Sequence, residues 1–371
     1  MAGIYVHIPF CQSRCIYCGF YSSTHVELRQ RYIDAVCREW QLRRQEQTEP
    51  STIYIGGGTP SQLTAEQLFQ LFDTLPSATD EVTLEVNPDD VTIEFIKALS
   101  PLPVTRISMG AQTFDDRRLR FLHRRHTAGQ VSQAIGMLRN AGYHNISVDL
   151  MYGFPNEALD DWQHDIDKAL ALNVEHLSAY CLMVEENTAL FELMNKEQIK
   201  AIDEELERQM YYTLIDRLTA AGYEHYEISN FAKKTAPWEK SCRGLHNSSY
   251  WHDIPYVGLG AAAHSYDGKR RSWNVADINE YILCIESGKL PSTHETLDAD
   301  THYNDRIATA LRTIDGLDLK TLTDRQRSHC LTEAQCFLSN GLLKLTDDSH
   351  LQLTRKGLFV SDMVMSGLML V

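Results

Sequence analysis

Three cysteines carry the first chemical signal in this chain: Cys11, Cys15 and Cys18, in the stretch CQSRCIYC. Thiolates bind metals, and three of them on one short loop can wrap a single centre. A structural zinc site closes with a fourth ligand. Here Gly19, Phe20 and Tyr21 follow directly, and only His7 or His25 could supply that ligand. A [4Fe–4S] cube is also held by cysteine thiolates. With three of them, one iron keeps an open position, which is what a catalytic metal needs to hold a ligand. Tyr17, Phe20 and Tyr21 around the triplet suit the larger cluster, and a zinc-stabilised binding module stays as the alternative.

A second group of candidates recurs at similar places in the pattern. IGGGTPS (55–61) has glycines that let a backbone approach a ligand closely. Glu85–Asn87, Ser108–Gln112 and Asp149–Pro155 add carboxylates, amides and hydroxyls. Each follows or ends a short β-branched run: GIYVHI, TIYIG, EVTLEV, RISMG, NISVDLMYG and HLSAYCL. Between the runs lie helical periods, such as ELRQRYIDAVCREWQLRRQ, TAEQLFQLFDTL, TIEFIKAL, AGQVSQAIGMLRNAG with Gly142 as its stop, and LDDWQHDIDKALAL. Strand–helix repeats of about 30 residues predict βαβ units and a parallel sheet. Six units fit residues 1–230, two fewer than a complete barrel, so the fold class is α/β with an incomplete (β/α)6 TIM-like barrel. Chemistry in such folds sits at the C-terminal strand ends, where all these candidates fall.

A long helical pattern follows at Gln198–Ala221. Residues 231–275 read as a loop-rich connecting segment holding TAPWEK, HNSSYW and GLGAAAH. Residues 276–371 read as a smaller, mostly helical domain, from DINEYILCIESG and HYNDRIATALRTI to a helix–strand–turn–strand–helix order with the turn at 347–349. That order resembles a winged helix, used for structure or partner docking.

Composition bounds these readings. In 371 residues, 43% hydrophobic and 23% charged side chains describe an ordinary soluble globular chain. No apolar run is long enough to span a membrane, so only peripheral membrane contact stays open. The first residues read as a strand and not a signal peptide. A net charge of −15 speaks against general nucleic-acid binding. RLRFLHRRH (118–126) is the one basic cluster and suits a solvated helix face. An odd nine cysteines without a secretory signal indicate a reducing, cytoplasmic setting. Cys37, Cys181, Cys284, Cys330 and Cys336 fall singly in apolar patterns, as small core residues do.

The spacing C-x3-C-x2-C, with an aromatic before the third cysteine, resembles the radical SAM superfamily. There the open iron chelates S-adenosylmethionine (SAM), and one electron yields a 5′-deoxyadenosyl radical. YVHIPFCQSRCIYC, GGGTPS, LEVNP, SMGAQTF, DLMYGFP, YEISNFA and GLGAAAHS together look like the oxygen-independent coproporphyrinogen III oxidase family, over nearly the whole chain. The resemblance implies that Cys11, Cys15 and Cys18 hold the cluster and that Tyr5 and Tyr17 flank it. It implies that Gly57, Gly58 and Thr59 bind the methionine moiety, and that Glu85, Gln112, Arg124 and Asp149 complete the SAM site.

Two features divide this family. The decarboxylating oxidase carries a further cysteine where this chain has Phe20, and it has an extension before the first strand. HNSSYW resembles the motif of the haem-chaperone branch, which implies haem contacts at His246, Asn247, Tyr250 and Trp251. By itself the motif reads more readily as a polar–aromatic loop packed over the barrel mouth. The expectation is a chaperone that binds a [4Fe–4S] cluster, SAM and haem and delivers haem to recipient proteins. An electron donor such as flavodoxin or ferredoxin would serve it, and the open barrel side leaves room for a dimer contact. Whether SAM is cleaved stays open, and the oxidase remains the alternative.

Overall fold

The computed structural model describes residues 2–43, 49–236 and 240–370. Arg44 and Gln45 of the first helical pattern, and Pro237–Glu239 within TAPWEK, lie outside the described residues.

Six strands and their helices alternate through the first half: β1 (Ala2–Ile8), α1 (Arg29–Arg43), β2 (Pro50–Gly57), α2 (Ala65–Thr74), β3 (Glu81–Val86), α3 (Ile93–Leu99), β4 (Arg106–Gln112), α4 (Asp116–Phe121), α5 (Ala128–Asn140), β5 (Ile146–Tyr152), α6 (Leu159–Ala171) and β6 (His176–Cys181). Neighbouring strands from β1 to β6 pair in parallel, with Tyr5 opposite Tyr54, Glu85 opposite Ser108 and Asp149 opposite Ser178. The alternation of side chains along a strand sorts two faces. Ile4, Val6, Ile8, Ile53, Ile55, Leu84, Ile107 and Val148 are buried in the main apolar core. The intervening positions carry Tyr5, Tyr54, Glu85, Ser108, Asp149 and Ser178, which line the concave interior. Local signals support the helices: Thr64 and Gln67 form a capping box on α2, and Asp115 accepts from the Arg117 and Arg118 amides at the start of α4.

The expected barrel of six units is present, and the sheet extends beyond it. Next come α7 (Ala189–Asn195), α8 (Glu204–Ala220), β7 (Tyr223–Glu227), β8 (Asn230–Lys233), α9 (Leu245–Trp251), β9 (Tyr256–Leu259), β10 (His264–Tyr266), β11 (Arg270–Asn274), α10 (Ile278–Glu286) and β12 (Ser292–Thr296). Strand β9 adds to β1 in parallel, β10–β12 continue antiparallel on that side, and the β7–β8 hairpin adds to β6. The described residues give one twelve-stranded sheet whose order runs from β12 to β7 without closing.

Among the described residues, the segment 231–275 holds strands and a helix and is not the loop-rich stretch that its composition suggested. Its strands are three to five residues long and broken by Gly260 and Gly268, both at positive φ, so no long apolar run betrays them. The helix expected from Gln198 begins only at Glu204, where the Asp203 carboxylate caps it by accepting from the Glu205 amide.

A buried polar network ties β9 to the barrel. Glu39 accepts from Arg43, Tyr281, the Asn274 amide and the Gly260 amide, and Tyr32 bridges His7 O and Ala261 N. Helix α10 joins this same core through Ile278, Tyr281, Ile282 and Ile285.

A separate C-terminal core gathers α11 (Ala299–Ala310), β13 (Leu317–Asp318), α12 (Asp324–Ser339), β14 (Leu343–Leu345), β15 (His350–Leu353), α13 (Arg355–Phe359) and α14 (Ser361–Leu368) around Tyr303, Ile307, Leu351 and Val364. The order from α12 through β14, the turn and β15 to α13 follows the sequence pattern. Cys37 and Cys330 are buried, but Cys181 and Cys284 are half-buried and Cys336 is exposed, so the single cysteines are not uniformly core residues. Among the described residues no helix is long and apolar enough to cross a membrane.

Candidate functional site

A cavity of about 850 Å³ opens at the C-terminal ends of the parallel strands. The cysteine loop leaves β1 there and is pinned on both sides. The Cys11 amide donates to Ser23 O (3.0 Å), the Ile16 amide to Leu122 O (3.3 Å) and the Leu190 amide to Ile16 O (2.9 Å). Cys11, Cys15 and Cys18 all face the cavity. The Thr59 hydroxyl lies 3.6 Å from Cys11 Sγ, and Arg124 Nη1 lies 3.6 Å from Cys15 Sγ. Burial pushes the Cys11 and Cys18 thiols up, and the Thr59 hydrogen bond partly offsets this at Cys11. Burial likewise raises the Tyr17 phenol.

The two histidines that could complete a zinc site are engaged elsewhere. His7 is buried, with Nδ1 2.9 Å from the Tyr5 hydroxyl and Nε2 2.9 Å from Tyr21 O. His25 is exposed and pairs with Glu27.

Glycines floor the next part of the cavity. Gly57 has φ +111°, and a Cβ on Gly58 would stand 2.8 Å from the Pro9 carbonyl carbon. Any larger residue at Gly58 would push the end of β1, the segment that leads into Cys11. Beyond the glycines stands a layer of buried charge. Glu85 accepts from the Tyr54 hydroxyl (2.6 Å) and the Gly57 amide (3.0 Å). Burial lifts its carboxyl to about 7, and the nearby Asp149 adds to the rise. Asp149 is raised too, chiefly by burial, with Ser178 and Ser108 hydrogen bonds working against it. Burial favours the protonated form of both carboxyls although Arg106 lies near each and Arg124 near Asp149, so a cationic ligand would favour their ionised form.

Arg124 is a buried cation of the site. Its Nη2 donates to Asn87 Oδ1 (2.7 Å) and Gly110 O (2.8 Å), and its buried Nε has no partner. The basic cluster is thus not a solvated helix face. Helix α4 ends at Phe121, Leu119, Leu122 and His126 are buried, and Arg125 pairs with Asp89 and Asp90 at 2.9 Å. Gln112, at φ 68°, also lines the cavity, where β4 and β5 shift register.

The structure brings together Tyr5, Tyr17, Gly57, Gly58, Thr59, Glu85, Gln112, Arg124, Asp149 and the three cysteines on one wall system. Tyr54, Arg106, Ser178 and Tyr180 line the same space and were missed. Their signal was available: polar residues at every second place in otherwise apolar parallel strands mark the interior face.

HNSSYW folds differently from an exposed loop. It forms α9, which plugs the opposite, N-terminal end of the strands. Glu81, at the start of β3, accepts from the first amides of the helix, Leu245 N (3.0 Å) and His246 N (3.1 Å). His246 is fully buried between β1 and β2: Nδ1 lies 2.8 Å from the Thr52 hydroxyl and Nε2 2.8 Å from the Tyr250 hydroxyl. Burial pushes its imidazole down to about 3. Asn247 and Tyr250 reach up to the cavity floor, whereas Trp251 packs under the Arg312 guanidinium, 4.9 Å from the ring centre. The four motif residues therefore do not converge on one open surface.

Comparison with known proteins places the chain in a family. The Radical SAM superfamily family model matches residues 5–169. The chain is 36% identical over 339 residues to a protein of Bacillus subtilis named heme chaperone HemW, covering 88% of this chain and 87% of that protein. It is 34% identical over 381 residues to the Mycobacterium tuberculosis protein of the same name, covering 99% and 94%. Among solved structures, the Escherichia coli coproporphyrinogen III oxidase HemN, a radical SAM enzyme, superposes with a TM-score of 0.83 over 99% of this chain and 89% of that one. At 21% identity, that likeness concerns the fold alone.

Proposed function

We propose that this chain, which belongs to the HemW family of radical SAM proteins, is a haem chaperone that binds a [4Fe–4S] cluster, SAM and haem and delivers haem to recipient proteins. The observation that carries the reading is the cavity itself: three thiols, a glycine floor and two buried carboxyls share it, and Phe20, which also lines it, is 71% exposed. The oxidase resemblance would require a cysteine at that position. An exposed phenyl ring there offers an apolar edge that suits a porphyrin.

The residues present fit the implied groups. Cys11, Cys15 and Cys18 would hold three irons of the cluster. When bound, the cluster supplies an open iron and one electron to SAM. Glu85 would pair with the cationic amino end of SAM, beside the backbone of Gly57, Gly58 and Thr59. Arg124 would pair with the carboxylate, to which a guanidinium offers matched donors. Gln112 and Asp149 would bond the ribose side, with Tyr5 and Tyr17 flanking. The enclosed strand ends keep water from these groups.

For haem, it is the resemblance of HNSSYW that supports contacts at His246, Asn247, Tyr250 and Trp251, and of these Asn247 and Tyr250 line the cavity. His246 would first have to release Thr52 and Tyr250. A small electron-donor protein such as flavodoxin or ferredoxin, a cytoplasmic location and a dimer contact complete the reading.

The deciding experiment pairs two assays on anaerobically reconstituted protein. With reductant and SAM, we expect no conversion of coproporphyrinogen III above a Cys15→Ser control; haem titration should give a Soret shift. Oxidase turnover above that control would sink the chaperone reading. Zinc in place of about four irons and four sulfides per chain would sink the cluster assignment.

A further inference from the structure

Arg106, the first residue of β4, is 2% exposed and lines the cavity. Its buried Nε has no hydrogen-bond partner, and among the described residues no acceptor bonds the rest of the guanidinium. The other deeply placed arginines are engaged: Arg43 donates to Glu39 and Asn274, and Arg124 to Asn87 and Gly110. A buried cation without hydrogen bonds is costly, and such a group calls for an explanation.

The groups around it are already occupied. A Cβ on Gly244, the residue before α9, would stand 3.5 Å from Arg106 Nη2 and 3.7 Å from the Tyr226 hydroxyl, so the guanidinium lies against the entry to the plug helix. The Tyr226 hydroxyl accepts from the Gly244 amide (3.2 Å) and bonds His176 Nε2 (2.8 Å). Glu85 and Asp149 stand farther along the strands, opposite Ser108 and Gly110 of β4. The Arg106 charge favours their ionised forms from there, but Glu85 spends its oxygens on Tyr54 and the Gly57 amide. Arg106 is also apart from the arginine assigned to SAM: Arg124 bonds Gly110 O, four residues along β4, about 13 Å of strand.

A guanidinium presents a planar fork of donors, which matches a carboxylate. A monoanion suits the place better than a phosphate, because Glu85 and Asp149 in their ionised forms repel a second negative charge. Tyr54, on the neighbouring wall, packs on His246 of the plug helix with ring centres 5.3 Å apart, and Asn247 and Tyr250 reach the same floor.

We propose that Arg106 makes the plug end of the cavity a carboxylate site, distinct from the SAM site at the strand ends. The carboxylate has two sources. One is a propionate arm of haem held at the plug-helix motif, which rests on the haem-chaperone reading; the other is a separate small acid, which does not.

The test titrates full-length, cluster-reconstituted wild type and Arg106→Lys with haem, with haem dimethyl ester and with propionate. Lysine keeps the cation beside Glu85 and Asp149 and removes the fork, so iron content and SAM affinity should stay at wild-type values. If the source is haem, wild type should bind haem about tenfold more tightly than the diester, and Arg106→Lys should lose that preference. If the source is a separate acid, propionate should bind wild type saturably and the variant about tenfold more weakly. Arg106→Gln serves as the second variant if lysine does not fold at this position. A wild type that neither prefers haem to its diester nor binds propionate overturns the proposal, and so does a folded variant that matches wild type with every probe. Haem that does not bind wild type at all overturns the haem-chaperone reading, while the propionate titration still decides the role of Arg106.

Discussion

Glu85 links stability and ligand binding in opposite directions, and replacing it with glutamine should separate the two. Burial lifts its carboxyl from the usual 4.5 to about 7. The folded state therefore holds the proton more tightly than the unfolded chain. Stability from this group is fully present below pH about 4.5 and is lost as pH rises through about 7. The total loss is about 3 kcal/mol once the group is ionised at pH 8. Glutamine cannot ionise; its oxygen can keep the Gly57 bond and its NH2 can donate to the Tyr54 hydroxyl oxygen, but the Tyr54 hydrogen then loses its acceptor, at a cost of about 1 kcal/mol. Glu85→Gln should thus stabilise the ligand-free protein by about 2 kcal/mol at pH 8, with little gain at pH 5. SAM binding should respond inversely. If its cationic amino group needs the ionised carboxylate, wild-type affinity should tighten about tenfold between pH 6 and pH 8. The variant should bind more weakly and show a flat profile. Denaturant unfolding and anaerobic calorimetry on reconstituted protein read both effects. A variant less stable than wild type at pH 8, together with wild-type affinity that ignores pH, would refute the reasoning.

Two further perturbations address other parts of the molecule. Gly58→Ala places a Cβ 2.8 Å from the Pro9 carbonyl carbon and 2.9 Å from Phe10 O, so the end of β1 must shift; iron retention and SAM affinity should both fall, and unchanged values of both would show that the glycine floor is dispensable. His246→Gln should flatten acid sensitivity, because the folded imidazole is pushed down to about 3 from 6.5. Its stability is present above pH 6.5 and lost as pH falls below it, by about 1.4 kcal/mol per pH unit. The stability gap between wild type and variant should therefore narrow from pH 7 to pH 5 in denaturant titrations, and a constant gap would contradict the buried neutral imidazole.

How far the sequence could be read depended on whether local pattern or tertiary contact decided each feature. The βαβ alternation is local, since period-two runs and helical periods are set by near neighbours, and the six parallel strands follow it. Most of the cavity residues were legible for a related reason. They stand at strand ends beside Gly-rich turns, and a resemblance supplied their pairing with a ligand. Short elements were not legible. Strands β9 to β11 are stabilised by pairing with β1 and with one another, and by the Glu39 network that reaches them from α1. None of this shows in a five-residue window. The HNSSYW stretch makes the same point for function. Its histidine and aromatics carry the composition of a ligand site, yet Glu81, 164 residues from Leu245 in sequence, caps it into a helix and Thr52 takes the imidazole.

Helix α9 shows how the two ends of the strands divide the work. Glu81 and Thr52 hold it at the N-terminal end, and Asn247 and Tyr250 reach from it to the cavity floor, so the C-terminal strand ends are left to the cysteine loop and the residues around it.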